Sequence, residues 1–157
     1  MRMQLLHKVW ALGSTHREMV HLWILYCRSI LEQSCVVWNG GLTKENIDDL
    51  ERTQKSFAKF LLPDKTYEHS LIYLNLEKLS ERRKLLTTKY AKRNIGNGTM
   101  LDLFPIKTKQ HNMELRNIKQ YKVLKCNTER LRRSSIVKMQ VQLNEECKQN
   151  KRKRKPG

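Results

Sequence analysis

The chain has 157 residues, of which 39% are hydrophobic and 30% charged, and 32 Lys and Arg against 15 Asp and Glu give it a net charge of +17. Only three prolines and six glycines interrupt the pattern, so we expect most of the chain to be ordered and helical, and the length suits one domain or a small helical domain with a tail. The charge sums to 0 over residues 1–50, to +6 over 51–100 and to +11 over 101–157. This gradient predicts a packed apolar part and a part that contacts a polyanion.

Apolar spacing and helix caps predict three helices in the first part of the chain. A short amphipathic helix over 3–12 ends at Gly13, and a longer one over 16–37 is apolar over a broad face, which is typical of a core element. Thr43 caps a third helix that Pro63 closes, with acidic residues in its first turns and lysines in its last.

A basic helical pair is predicted next, over 67–74 and 77–95, and a glycine turn at 96–98 ends it. The second helix has a thin apolar line of Leu79, Leu86 and Ala91 and is otherwise rich in cations. These cations are Arg82, Arg83, Lys84, Lys89, Lys92 and Arg93. A charge run is usually only a solvated helix side, but the net charge of +17 favours contact with nucleic-acid phosphates.

The last third begins with a brief apolar anchor at 100–105, continues with a predicted loop over 107–127, and ends in a predicted helix over 128–146. That helix carries a second set of predicted nucleic-acid-binding residues: Arg130, Arg132, Arg133 and Lys138. The chain closes on a run that resembles a nuclear localisation signal, although short basic runs also recur by chance. Its residues are Lys151, Arg152, Lys153, Arg154 and Lys155.

The predicted fold class is therefore all-α: a small helical bundle, a basic helical extension and a disordered C-terminal tail. Residues 1–62 form the predicted apolar helical core, and residues 63–98 the basic helical pair packed on it. Residues 99–148 comprise the basic loop and the C-terminal helix, and residues 149–157 the disordered basic tail.

The four cysteines, at positions 27, 35, 126 and 147, form no C-x-x-C pair, so no zinc knuckle or redox motif is present. Cys27 and Cys35 are eight residues apart in one predicted helix, roughly 12 Å, whereas a disulfide needs Cα atoms within about 7 Å. We therefore expect reduced thiols and an intracellular protein. The apolar stretch 19–26 lacks the features of a signal peptide and is too short to span a membrane, so no membrane partner is expected.

No residue pattern indicates catalysis or a metal site. Asp48 and Asp49 are adjacent, but they lie at the front of a helix, where acids complement the macrodipole. His16 and His21 are five residues apart and do not share a helix face, and no glycine-rich phosphate loop occurs. We expect no enzyme activity, no cofactor and no small-molecule substrate. Trp10, Trp23 and Trp38 are expected in the core rather than as stacking platforms.

Several blocks of the sequence, in this order and spacing, resemble one family over residues 2–145. The blocks are 28–34 (RSILEQS), 37–38 (VW), 41–43 (GLT), 50–55 (LERTQK), 74–83 (LNLEKLSERR) and 127–131 (NTERL), with the serine pair 134–135 before the last helix. They resemble the region just downstream of the polymerase palm in reverse transcriptases of jockey-like non-LTR retrotransposons. Gln33 and Val36 depart from this family, in which many members have an aromatic residue and a proline there.

This resemblance implies a thumb-like helical region and C-terminal extension that hold template and primer during RNA-directed DNA synthesis. The palm with its paired aspartates, the fingers and the endonuclease would lie outside this chain, and so would any Mg²⁺. We therefore expect a non-catalytic fragment that binds an RNA–DNA hybrid or duplex without reading its sequence, with a nuclear location. Oligomeric state stays open.

Three alternatives remain at this point. The chain could be an independent basic nuclear protein that binds DNA or RNA, a functionless remnant of a truncated element, or a helical bundle that binds a protein partner. An upstream reading frame with a palm would favour the fragment, and binding to a protein but not to nucleic acid would favour the last.

Overall fold

The computed structural model describes residues 2–106 and 121–153, and within these residues the fold is all-α, as predicted. The α-helices in chain order are α1 (Arg2–Ala11), α2 (His16–Leu22), α3 (Ser29–Glu32), α4 (Cys35–Trp38), α5 (Lys44–Leu61), α6 (Tyr67–Tyr73), α7 (Leu79–Gly96), α8 (Glu129–Arg132) and α9 (Ser135–Lys153). A π-helical segment, Trp23–Arg28, joins α2 to α3, and Asn39–Gly41 and Leu101–Leu103 are 3₁₀ turns. None of the described helices is both long and apolar enough to cross a membrane.

The chain folds into two compact units. Unit 1 comprises Met1–Cys35 and Leu42–Lys84, and unit 2 comprises Val36–Gly41 and Leu85–Gly157. The boundary falls within α7, so this division cuts across the predicted basic pair of residues 63–98.

The core of unit 1 is centred on two stacked aromatic rings. Trp23 and Phe57 are both fully buried, with ring centroids 4.5 Å apart and an interplanar angle of 10°. Around them pack the other buried residues of α1, α2, the π-helical segment, α5 and α6, with the loop that follows α6: Leu6, Met19, Cys27, Ala58, Leu61, Leu71, Leu74 and Leu76. Trp23 therefore belongs to the core, as predicted, and Trp10 is half-buried against the same cluster.

Helix α5 forms as the sequence predicts, because its signals are local. Thr43 caps it by accepting a hydrogen bond from the Asn46 backbone N–H at 3.2 Å, and the helix ends at Leu61, just before Pro63. Its buried face places Phe57 against the core of unit 1.

The single helix predicted over 16–37 is wrong. The chain leaves the helix after Glu32, and Ser34 adopts the left-handed conformation with a φ of +52° before α4 begins. Apolar residues occur on both sides of this break, and neither glycine nor proline marks it, so the sequence gives no sign of it. None of the four cysteines, all within the described residues, forms a disulfide in this structure.

Unit 2 has a smaller core that combines apolar residues with buried amides. Ala91, Phe104, Met139 and Leu143 form its buried centre, so the apolar anchor at 100–105 is confirmed through Phe104. On the same helix as Met139, Gln140 donates to the Leu103 carbonyl at 2.6 Å and accepts from the Leu124 N–H at 3.0 Å. Asn144, one turn later, bonds both backbone groups of Tyr121 at 3.0 Å. These amides fix the backbone on either side of residues 107–120.

The end of the chain also differs from the prediction. The helix predicted over 128–146 is two helices, α8 and α9, because the chain turns at Arg133 and Ser134. Helix α9 continues through Lys153, so the disordered tail predicted from residue 149 is wrong as far as that residue. Of the loop predicted over 107–127, residues 107–120 lie outside the described residues, and residues 121–127 contain no helix.

Gly40 allows the 3₁₀ turn of unit 2 to approach the start of α9. A Cβ atom there would lie 2.7 Å from both the Cα and the backbone N of Ser135 and 2.8 Å from the Arg133 carbonyl oxygen. The neighbouring Gly41 has nothing within 4 Å of such an atom, which makes it a matched control.

We predict that Gly40→Ala lowers the free energy of unfolding by about 1–3 kcal/mol, because backbone atoms of Arg133 and Ser135 must move away. Gly41→Ala should change it by less than about 0.5 kcal/mol. Urea denaturation followed by circular dichroism measures both. Equal effects of the two substitutions would contradict the close packing of the turn on α9.

Candidate nucleic-acid interface

Positive charge is concentrated in one of the two units. Unit 1 contains 13 basic and 10 acidic residues, a net charge of +3, whereas unit 2 contains 19 basic and 5 acidic residues, a net charge of +14. The two units are almost equal in length, so unit 2 has by far the higher charge density. A polyanion would therefore be attracted mainly to unit 2.

The predicted site residues Arg82 and Arg83 belong to unit 1, where internal carboxylates surround them. Arg82 Nε lies 2.5 Å from the Glu32 carboxylate, and its Nη1 lies 3.6 Å from Glu77. Arg28 approaches the same Glu32 at 3.6 Å, and burial lowers the pKa of Arg28, with repulsion from Arg82 adding to the effect. Glu32 thus ties the first turn of α7 to α3.

The assignment of Arg83 to a nucleic-acid surface is wrong, because this side chain is fully buried. Burial lowers the pKa of its guanidinium, and the charges of Glu51, Cys35 and Glu32 act in the opposite direction. Arg83 therefore stabilises unit 1 from within. Lys84, the next predicted residue, is exposed and also belongs to unit 1.

Glu51 is the carboxylate that organises this part of unit 1. It accepts hydrogen bonds from the Tyr67 hydroxyl at 2.5 Å and from the backbone N–H groups of Leu79 and Ser80 at 3.3 Å. The two N–H groups belong to the first turn of α7, where an anion is favoured by the helix dipole. Burial, together with the bond to Glu51, raises the pKa of Tyr67.

In unit 2, the exposed side of α7 carries three predicted residues on one face. Lys89, Lys92 and Arg93 follow the i, i+3, i+4 spacing that makes helix residues neighbours. Lys92 forms an ion pair with Glu146 of α9. Lys89 and Arg93 are exposed, and no carboxylate in the described part of the chain is within ion-pair distance of either.

The second predicted set lies on α8 and the start of α9. Thr128 caps α8 by accepting from the Leu131 N–H at 3.3 Å, and Glu129 pairs with both Arg132 at 3.2 Å and Arg133 at 3.0 Å. Arg130 is exposed, and none of the described carboxylates pairs with it. Lys138 is half-buried. The Glu129 carboxylate therefore pairs with two of the three exposed arginines. This leaves the short helix strongly positive.

Two further cations of the same unit were not singled out from the sequence. Lys122 and Lys125 are exposed on the segment whose backbone is fixed by the bonds from Lys122 N–H to the Pro105 carbonyl, at 2.8 Å, and from Leu124 N–H to Gln140. The only sequence signal was the basic composition of the predicted loop. The amides of α9 that anchor this loop are not recognisable as anchors without the fold.

The basic run at the end of the chain is partly helical. Lys151, Arg152 and Lys153 form the last residues of α9, and Arg154 and Lys155 lie outside the described residues. Among the described residues, no three metal-binding side chains come together. Asp49 is exposed and pairs with Arg52 at 2.9 Å, one turn along α5.

We predict that Arg83→Met lowers the free energy of unfolding by about 1–3 kcal/mol, because it removes a fully buried guanidinium whose charge favours the Glu51 carboxylate. The matched change Arg93→Met, at an exposed position of the same helix, should cost less than about 0.5 kcal/mol. Thermal unfolding compares the two variants. If Arg83→Met were as stable as the parent chain, its proposed structural role would be wrong.

No protein-family model matches the chain, and no curated protein or solved structure is significantly similar to it.

Proposed function

We propose that the protein binds the phosphate backbone of nucleic acids through unit 2, without catalysis and without reading base sequence. The observation that carries this proposal is the net charge of +14 on unit 2, together with exposed cations that no described carboxylate neutralises. These cations are Lys89, Arg93, Lys122, Lys125 and Arg130.

Charge of this density favours phosphate contact for a simple reason. Lys and Arg that replace the counterions around a nucleic acid release those ions into solution, and the gain does not depend on the bases. Arg93 and Arg130 can also bind phosphate oxygens through two parallel N–H groups. Contacts of this kind position a duplex and carry no sequence information, so sequence-tolerant binding is expected.

The described cations of unit 2 lie on ordered elements that support such contacts. Lys89 and Arg93 project from a long helix, and Lys122 and Lys125 flank a backbone N–H that Gln140 holds in place. Cations on ordered elements lose less conformational freedom on binding than cations on a flexible chain do. Unit 1, with 10 carboxylates for 13 basic residues, would then serve as packed support.

The resemblance to the region downstream of the palm in jockey-like reverse transcriptases gives this activity a context. In that context the chain would hold template and primer, as an RNA–DNA hybrid or duplex, during RNA-directed DNA synthesis. Metal ions and catalytic aspartates would belong to the palm, and the basic C-terminal run would direct a nuclear location. The role in RNA-directed DNA synthesis and the nuclear location both extend the proposal of backbone binding. Each is tested separately from it.

We predict that the triple variant Lys89→Ala, Arg93→Ala, Arg130→Ala binds a duplex or hybrid of about 20 base pairs more weakly than the parent chain does. The slope of log affinity against log salt should become shallower by about 0.9 for each phosphate-binding cation removed, or by about 2.7 in all. Fluorescence anisotropy between roughly 50 and 200 mM KCl measures affinity and slope.

A matched control removes the same charge from unit 1 with Lys8→Ala, Lys44→Ala and Lys59→Ala, all at exposed positions. This control should keep nearly the parent slope. If both triple variants weakened binding equally, net charge alone and not unit 2 would account for binding. If the parent affinity did not change with salt, backbone binding would be excluded.

A further inference from the structure

Unit 1 contains a cleft that the proposed function does not use. Its volume is about 450 Å³, within the range of small-molecule sites, and α2 with the following π-helical segment forms one wall. The end of α6 forms the other. The side chains that give the cleft its chemistry are His16, Arg17, Val20, His21, Ile24 and Tyr73.

The side chains of the first wall form two rows, because residues four apart in a helix lie next to each other. Arg17 and His21 are four residues apart, so they lie side by side one turn apart and offer hydrogen-bond donors. Val20 and Ile24 have the same spacing and supply an apolar row next to the first. The nearest carboxylate on this helix, Glu18, is held by the Thr15 backbone N–H at 2.8 Å as part of the capping box.

An exposed tyrosine with a fixed backbone forms the opposite wall. The Tyr73 side chain is 59% exposed at the last residue of α6. Asn75 then adopts a left-handed conformation with a φ of +51°, and the Leu76 N–H returns to the Leu71 carbonyl at 2.8 Å, which closes the helix end. The Tyr73 ring is therefore presented from a rigid turn.

Cations and aromatic rings meet at this wall. The Lys65 ammonium lies 3.9 Å from the centroid of the Tyr73 ring. The His16 ring contacts the same ring edge-on, with a distance of 6.2 Å between the two ring centroids. His16 also contacts Trp10, with centroids 5.1 Å apart. The cleft thus combines an exposed aromatic ring, an apolar row and a group of cationic or hydrogen-bond-donating side chains.

We propose that this cleft binds one unpaired nucleotide of a single-stranded nucleic acid. Its base would lie against Tyr73 and the apolar row, and its phosphate would bind Arg17 and His21, with the Lys65 ammonium beside the Tyr73 ring adding positive charge. Stacking on an aromatic side chain together with cations on the backbone is the general chemistry of single-strand binding. An acidic peptide would use the cations and would leave the tyrosine and the apolar row without a partner.

The inference goes beyond the proposed function, because it concerns unit 1 and an unpaired nucleotide, whereas duplex binding is assigned to unit 2. The two can fail separately. Loss of nucleotide binding with intact duplex binding would overturn only the cleft, and the reverse result would overturn only the duplex surface.

The test uses the whole chain and adenosine 5′-monophosphate, with binding followed by calorimetry and by the fluorescence change that Trp10, in contact with His16, should report. We expect saturable binding with a Kd below about 1 mM. Arg17→Ala and Tyr73→Ala should each weaken it at least about tenfold, whereas Tyr73→Phe, which keeps the ring, should stay within about twofold of the parent.

Ile72→Ala is the matched control, because Ile72 is 78% exposed beside Tyr73 and does not line the cleft. It should leave nucleotide binding unchanged, and circular dichroism checks that every variant is folded. No saturable binding, or binding unchanged in both Arg17→Ala and Tyr73→Ala, would overturn the proposal. So would inorganic phosphate or an oligoglutamate peptide that binds as tightly as the nucleotide, since each would indicate a site for anions only.

Discussion

The Glu51 carboxylate accepts hydrogen bonds from the backbone N–H groups of Leu79 and Ser80 in the first turn of α7 and from the Tyr67 hydroxyl. Three helices of unit 1 meet at this one side chain, and its charge partly offsets the effect of burial on the pKa of the Arg83 guanidinium. An ionised group without such partners would not be stable in the interior, because its desolvation costs several kcal/mol. The position of α7 depends on these bonds. The roles of the cations along α7 therefore depend on them too.

The arrangement gives the cations of α7 two different roles. Arg82 pairs with carboxylates of unit 1 and Arg83 is buried inside that unit, whereas Lys89 and Arg93, two to three turns later, are exposed on unit 2. The cations along α7 thus do not form one continuous binding surface. They contribute to folding or to polyanion binding according to the carboxylates near them, and the excess positive charge accumulates on unit 2 because few acidic residues occur there.

Features that depend on neighbouring residues in the chain were predictable from the sequence, and features that depend on distant residues were not. Thr43 and Pro63 bound α5, because caps and prolines act locally. The burial of Arg83 had a local signal, since Leu79, Arg83, Thr87 and Ala91 follow one another at intervals of four residues and all are buried, but the carboxylates that act on Arg83 lie on other helices. The left-handed Ser34 and the amides Gln140 and Asn144 carry no such signal, because their conformations and partners are set by tertiary contacts.

Lysine footprinting tests most directly the central claim that a duplex or RNA–DNA hybrid contacts unit 2 rather than unit 1. The protein is acetylated briefly, with and without an RNA–DNA hybrid at low salt, and modification is quantified at each lysine by mass spectrometry. The account predicts protection of Lys89, Lys122 and Lys125 and no protection of the exposed unit 1 residues Lys8, Lys44 and Lys59. Equal protection of the two groups, or protection of the unit 1 lysines alone, would contradict it.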